Sequence, residues 1–118
     1  MKSIVDINRV LSSYPYIVRY EIYYLSDPNF QDNWIAELDL SRSNNTLGET
    51  IKIKLIGISD LQLKSPNINM GGVFQIEDIK GWNWERMHFC FEDSEESTIK
   101  CYSHSVQIKM NNDLIEFV

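Results

Sequence analysis

The sequence predicts a mainly β fold with some α content: an antiparallel meander or sandwich of about seven or eight strands, with one short N-terminal helix. Two observations predict it. Short runs with apolar residues at every second position recur along most of the chain, separated by turn residues. Helical spacing, in contrast, is confined to one segment near the start.

That segment is SIVDINRVLS, residues 3–12. Ile4, Ile7, Val10 and Leu11 fall close to one helical face, Ser3 stands where a cap belongs, and Asp6 follows three residues later as in a capping box. Pro15 ends the helix. From Tyr14 to Leu25 the period changes to two, with Val18, Tyr20, Ile22 and Tyr24 alternating with Arg19, Glu21 and Tyr23. Ser26-Asp27-Pro28-Asn29 is a turn cluster. Trp34, Ala36, Leu38 and Leu40 mark a second half-buried strand, and SRSNNTLG (41–48) a loop.

Ile51, Ile53 and Leu55 alternate with Lys52 and Lys54, after which Ile56 and Ile58 take the other parity around Gly57. A glycine at a phase change predicts a bulge or bend. Leu61 and Leu63 form a short strand closed by Ser65-Pro66, and Gly71-Gly72 a turn before a strand over Val73–Ile79. Gly81 separates that strand from one over Trp84–Phe91, in which Met87, Phe89 and Phe91 share a face. The last run, Thr98–Met110, changes phase at Ser103-His104-Ser105.

The chain has 118 residues, 43% hydrophobic and 12% aromatic, enough for one domain with a real core. Its formal charge is −6, with a pI near 4.8. An acidic surface repels phosphate backbones and anionic membranes and favours a basic partner. No stretch approaches the roughly 18 apolar residues of a membrane span. Asp6, Asn8 and Arg9 interrupt any signal-like run near the start, so the expected compartment is the cytoplasm, where Cys90 and Cys101 stay reduced.

Both cysteines lie in FCFEDSEESTIKCYS, residues 89–103, which reads as a β-hairpin whose acidic tip holds Glu92, Asp93, Glu95 and Glu96. A three-residue loop at Ser94–Glu96 pairs Phe91 with Ile99 and Phe89 with Cys101. This register gathers the apolar residues on one face, placing Cys101 in the core, Cys90 opposite, and no disulfide between them.

The chemistry of catalysis is thinly represented. His88 and His104 belong to no HExxH, HxH or Cys/His cluster, and Ser103 and Ser105 flank His104 on a strand, where neighbours point to opposite faces. Asp27, Asn29, Asp32 and Asp39 lack the spacing of a calcium loop, and Gly71-Gly72 lacks that of a phosphate loop. No metal, cofactor or catalytic residue is predicted. The candidate features are those of a protein interface: the acidic tip, Trp82 beside Gly81 as an exposed ring, and the tyrosine group at 14–24. Trp34 and Trp84, with most of the tyrosines, are expected in the core or between sheets.

The N-terminal helix, the alternating strands, GGVFQIEDIKGWNWE (71–85) and the closing hairpin HFCFEDSEESTIKCYS (88–103) together resemble small bacterial immunity proteins of polymorphic toxin systems. The resemblance implies a cytoplasmic, non-enzymatic, mostly β protein that binds a cognate toxin domain at or near its active site. Many such toxins are nucleases with basic clefts, which an acidic inhibitor complements. From chemistry, the expected contacts are Glu92, Asp93, Glu95, Glu96 and Trp82. The alternative reading is a small-ligand-binding or accessory β-domain without catalysis. Oligomeric state is left open.

Overall fold

The computed structural model describes residues 3–26, 33–43, 48–63, 72–95 and 98–118. Helix α1 spans Ile4–Leu11. Ser3 Oγ accepts from the Asp6 amide at 3.2 Å, and the Asp6 carboxylate accepts from the Ser3 amide at 3.3 Å, completing the capping box that the sequence predicts. Ile7 and Leu11 are buried on the face of the predicted stripe.

Nine strands follow among the described residues. One antiparallel sheet contains β1 (Tyr16–Leu25), β2 (Asn33–Ser41), β3 (Thr50–Ile56), β8 (Ser105–Met110) and β9 (Asp113–Phe117), in the order β1-β2-β3-β8-β9. The other contains β4 (Ser59–Leu63), β5 (Phe74–Asp78), β6 (Phe89–Asp93) and β7 (Ile99–Ser103), in the order β4-β7-β6-β5. Leu38, Ile53, Leu55, Val106 and Ile108 of the first sheet, Phe74, Ile76, Phe91 and Cys101 of the second, and Ile7 and Leu11 of the helix form one apolar cluster. The rings of Phe74 and Phe91 stack at 5.8 Å within it. Each fully buried side chain of this size contributes about 1.5–3 kcal/mol.

Both phase changes in the sequence are changes of sheet. At Gly57 (φ 68°) the chain leaves β3 for β4, and at His104 it leaves β7 for β8. The two crossings touch. The Gly57 and Ile58 amides both donate to the Trp34 carbonyl at 3.0 Å, and the His104 amide donates to the carbonyls of Ile56 and Gly57 at 3.0 and 3.2 Å. Parity must invert at such a corner, because the residues that face the core from one sheet face solvent from the other.

The helix closes a sheet edge. β5 is the last strand of its sheet, so its outer backbone groups would otherwise be open. The Asn8 carboxamide takes the place of a neighbouring strand there. Its Nδ2 donates to the Ile76 carbonyl at 2.9 Å, and its Oδ1 accepts from the Ile76 amide at 2.8 Å.

Several expectations are corrected. The Trp84–Phe91 strand begins only at Phe89. Lys80–Trp82 is a single 3-10 turn, followed by Asn83 at φ 59°, and Met87 packs with Ile79 and Cys90 instead of sharing the face of Phe89. Trp34 and Trp84 are exposed, as are Tyr20 and Tyr24, while Tyr14 is buried. The run Thr98–Met110 is two strands in different sheets, and β9 extends the first sheet beyond the predicted elements. The Asp27-Pro28-Asn29 turn with Asp32, the centre of the 41–48 loop, Ser65-Pro66 and Gly71 lie outside the described residues.

Replacing Asn8 by alanine leaves both backbone groups of Ile76 without their partner. It should lower stability by about 1–3 kcal/mol, read by urea unfolding, with faster exchange of the Ile76 amide. Asn8→Asp keeps the acceptor for the Ile76 amide but sets a carboxylate oxygen against the Ile76 carbonyl, so it should destabilise as well.

Candidate functional site

The acidic hairpin forms, with its faces as predicted and its pairing moved along by two residues. Phe89 lies opposite Ser103, Phe91 opposite Cys101 and Glu92 opposite Lys100. A two-residue slide leaves every side chain on its face, which is why alternation cannot detect it. The longer 94–98 connection is organised by Asp93. This carboxylate is 1% exposed. Its Oδ1 accepts from the amides of Val73 and Glu95 at 3.1 Å each, and its Oδ2 from Thr98 Oγ1 at 2.7 Å. Asp93 is therefore a buried staple rather than an exposed contact, a correction to its expected role. The staple also requires Gly72, where a Cβ would stand 2.5 Å from Asp93 Oδ2. The Gly72 amide in turn donates to the Pro15 carbonyl at 2.9 Å, tying the hairpin tip to the start of β1.

Glu92 points away from the core, with its carboxylate 4.0 Å from Lys100 Nζ, and Glu95 is exposed. Glu96 lies outside the described residues. Trp82 is 54% exposed, but it follows Ile79 at the Phe89 end of β6, while Glu95 follows the Asp93 end. The intervening strand is about 13 Å long, so ring and tip are separate features. Between them runs a ladder on the outer face of the second sheet. The Trp84 ring lies 4.9 Å from that of Tyr102, and Lys100 Nζ lies 5.8 Å above Tyr102 and 4.0 Å from Glu92.

The histidines come together near this ladder, their ring centroids 4.5 Å apart. His104 Nδ1 lies 3.0 Å from the Arg86 carbonyl, to which its N–H donates. His88 lines an open hollow of about 450 Å³ with Lys80, Asn83, Trp84 and Glu85. Ser103 is buried while His104 is exposed, so this adjacent pair does not form a nucleophile with its base. Among the described residues, no three His, Cys, Asp or Glu side chains converge on a metal-sized space.

A further surface escapes sequence reasoning. Arg19, on the outer face of β1, donates from Nε to Asp39 Oδ2 at 2.9 Å and from Nη1 to Glu21 at 3.2 Å, with Glu37 at 3.9 Å from Nη2. Asp39 holds this guanidinium above its ordinary pKa. Burial, then Glu37, pushes the Tyr23 hydroxyl up. On the other face of the same strands Tyr20, Ile22 and Trp34 stand exposed. The alternation identifies the face but carries no sign of where the covering sheet stops.

Cys90 and Cys101 are both free and buried on opposite faces of the second sheet, Cys90 against Ile79 and Met87. Burial pushes Cys90 up to about 11, with Glu92 adding to it, and Cys101 up to about 12. The ordinary value is 9.0, so between these limits the folded chain keeps protons that the unfolded chain releases. The stabilisation is present in full below pH 9 and should be lost as pH rises toward 12, as measured by unfolding free energy across that range. Native protein at pH 8 should resist iodoacetamide until unfolded.

No curated protein and no solved structure matches this chain. A family model does: the one described as Immunity protein PIM8 matches residues 2–109, taking in the helix, both sheets apart from β9, the acidic hairpin and the Trp82–Trp84 segment. The chain belongs to the PIM8 family of immunity proteins.

Proposed function

We propose that this protein neutralises a cognate bacterial toxin domain by binding it stoichiometrically in the cytoplasm, without catalysis. Family membership over residues 2–109 carries the reading. The charge of −6 supports a basic partner, because complementary potentials raise the rate of encounter. Glu92 and Glu95 supply charge at one end of the second sheet, with Glu96 next to Glu95 in the sequence, and Trp82 supplies an exposed ring at the other end. Asp93 acts indirectly, by holding the loop that presents Glu95.

Co-expression with the toxin domain encoded beside this chain's gene should restore growth and give a complex of one toxin per immunity chain. Its association should slow as salt rises. Glu95→Lys should slow association severalfold with little change in dissociation, the signature of a peripheral steering charge. Absence of both complex and rescue would sink the proposal. An unchanged association rate in the Glu95 variant would remove the hairpin from the encounter surface.

A further inference from the structure

The connection between β5 and β6 is longer than the sheet requires. β5 ends at Asp78 and β6 begins at Phe89, and these two residues stand opposite each other. Residues 79–88 therefore leave the sheet and return to the point they left, a passage for which roughly two to five residues suffice. The base of this excursion is fixed. The Ile79 amide donates to the His88 carbonyl at 2.8 Å, and the His88 amide to the Ser103 carbonyl at 2.9 Å. Ile79 and Met87 are buried together with Cys90. Between these two anchors, every residue from Lys80 to Arg86 is exposed.

What the exposed stretch carries is unusual for a solvated loop. Trp82 is 54% exposed and Trp84 37%. The Trp84 ring rests 4.9 Å from Tyr102, which packs on the Ile79, Met87 and Cys90 cluster, so it is held in place while one side stays open. Gly81 has no left-handed backbone, and a Cβ there would meet nothing within 4 Å. Neither conformation nor internal packing calls for glycine at this position; its effect is to keep the surface low beside Trp82. Trp84, Asn83, Glu85, His88 and Lys80 line the open hollow of about 450 Å³. Of its two charges, Lys80 is already occupied, with Nζ 4.0 Å from Asp78 Oδ2 and 5.1 Å from the centre of the Phe89 ring. Glu85 has no ion pair among the described residues. With Asp78 and Lys80 matched, Glu77 and Glu85 stand against Arg86 alone within residues 77–88. His88 Nδ1, on the same hollow, is buried without a hydrogen-bond partner.

We propose that this hollow receives an arginine of the toxin, its guanidinium stacked on Trp84 and bonded to the Glu85 carboxylate, while toxin backbone lies close over Gly81 against Trp82. The identity of the partner rests on the immunity reading above; the mode of docking rests on the excursion. A guanidinium is planar, stacks on an aromatic face and presents a fork of donors that matches a carboxylate. Its attraction to an indole ring grows as water is displaced from between them. An anionic side chain fits less well, because Glu85 would repel it and Lys80 is already matched by Asp78. The anchored base makes the site rigid before the toxin arrives, so little ordering is needed on binding. The chain's charge of −6 favours the same class of occupant at longer range.

The test uses the full chain and a catalytically silenced form of the toxin domain encoded beside it, with affinity measured by titration calorimetry. Glu85→Gln removes the carboxylate, and Gly81→Gln fills the space above the turn. Each should weaken binding by about tenfold or more, while melting temperatures stay close to wild type because both positions are exposed. Lys80→Gln should not weaken binding, since Lys80 offers an incoming cation nothing. Wild-type affinity in either Glu85→Gln or Gly81→Gln overturns the docking mode. So does a greater loss with Lys80→Gln than with Glu85→Gln, the mark of an anionic occupant, or a dimer of the chain alone that Gly81→Gln dissociates. If the wild-type chain forms no complex, the immunity reading itself fails, and the docking mode fails with it.

Discussion

The two passages of the chain between sheets meet at one point, and the arrangement of the core depends on that meeting. Trp34 supplies one carbonyl to two successive amides at the first passage, and the carbonyls on either side of that passage receive the amide of His104 from the second. Gly57 permits the left-handed backbone that makes the first turn possible. With both corners fixed, β3 and β8 lie side by side in one sheet while β4 and β7 lie side by side in the other. A corner formed out of step would place Ile56 and Ile58, or Cys101 and Val106, on the wrong side of the sandwich. The corner also makes the backbone around Trp34 a structural partner although its side chain is exposed.

The chain's negative charge is divided between structure and surface in a way composition does not disclose. Of the carboxylates gathered in the hairpin, Asp93 is spent inside, where it satisfies three donors that a five-residue connection would otherwise leave open. Glu92 is held by Lys100, and Glu95 remains outward. At β1 the pairing runs across strands. Charges that read as an ordinary solvated strand face are brought together there, Arg19 and Lys52 meeting Asp39 and Lys54 standing opposite Glu37. Which charges are paired is therefore set by strand order, and strand order is the least local property of a β sandwich.

The difference explains what was legible in the sequence. The capped helix was legible because capping is a local matter among Ser3, Asp6 and the first turn. The alternating faces were legible because the period of a strand is fixed by its geometry. The two phase changes at Gly57 and Ser103–Ser105 were visible as breaks in period, though nothing local says that such a break moves the chain to another sheet. Hairpin pairing was not legible, since a shift by two leaves the pattern intact and the deciding group, Asp93, reaches Val73 some twenty residues away. Trp34 and Trp84 were misplaced for a related reason. Size and apolarity favour burial, but whether a ring is covered depends on how far the opposing sheet extends.

The contact between Asn8 and Ile76 has a consequence for the order of assembly. Sixty-eight residues separate the two partners, and the helix end is synthesised long before the strand it seals. The amphipathic helix must wait, its buried face unpartnered, until β5 has emerged and joined its sheet. Loop closure over that distance is slow compared with forming the β6–β7 hairpin. Until the helix docks, the β5 edge that Asn8 closes stays open. In a crowded cell, that interval is when one nascent chain's helix could close another chain's edge, giving an exchanged pair.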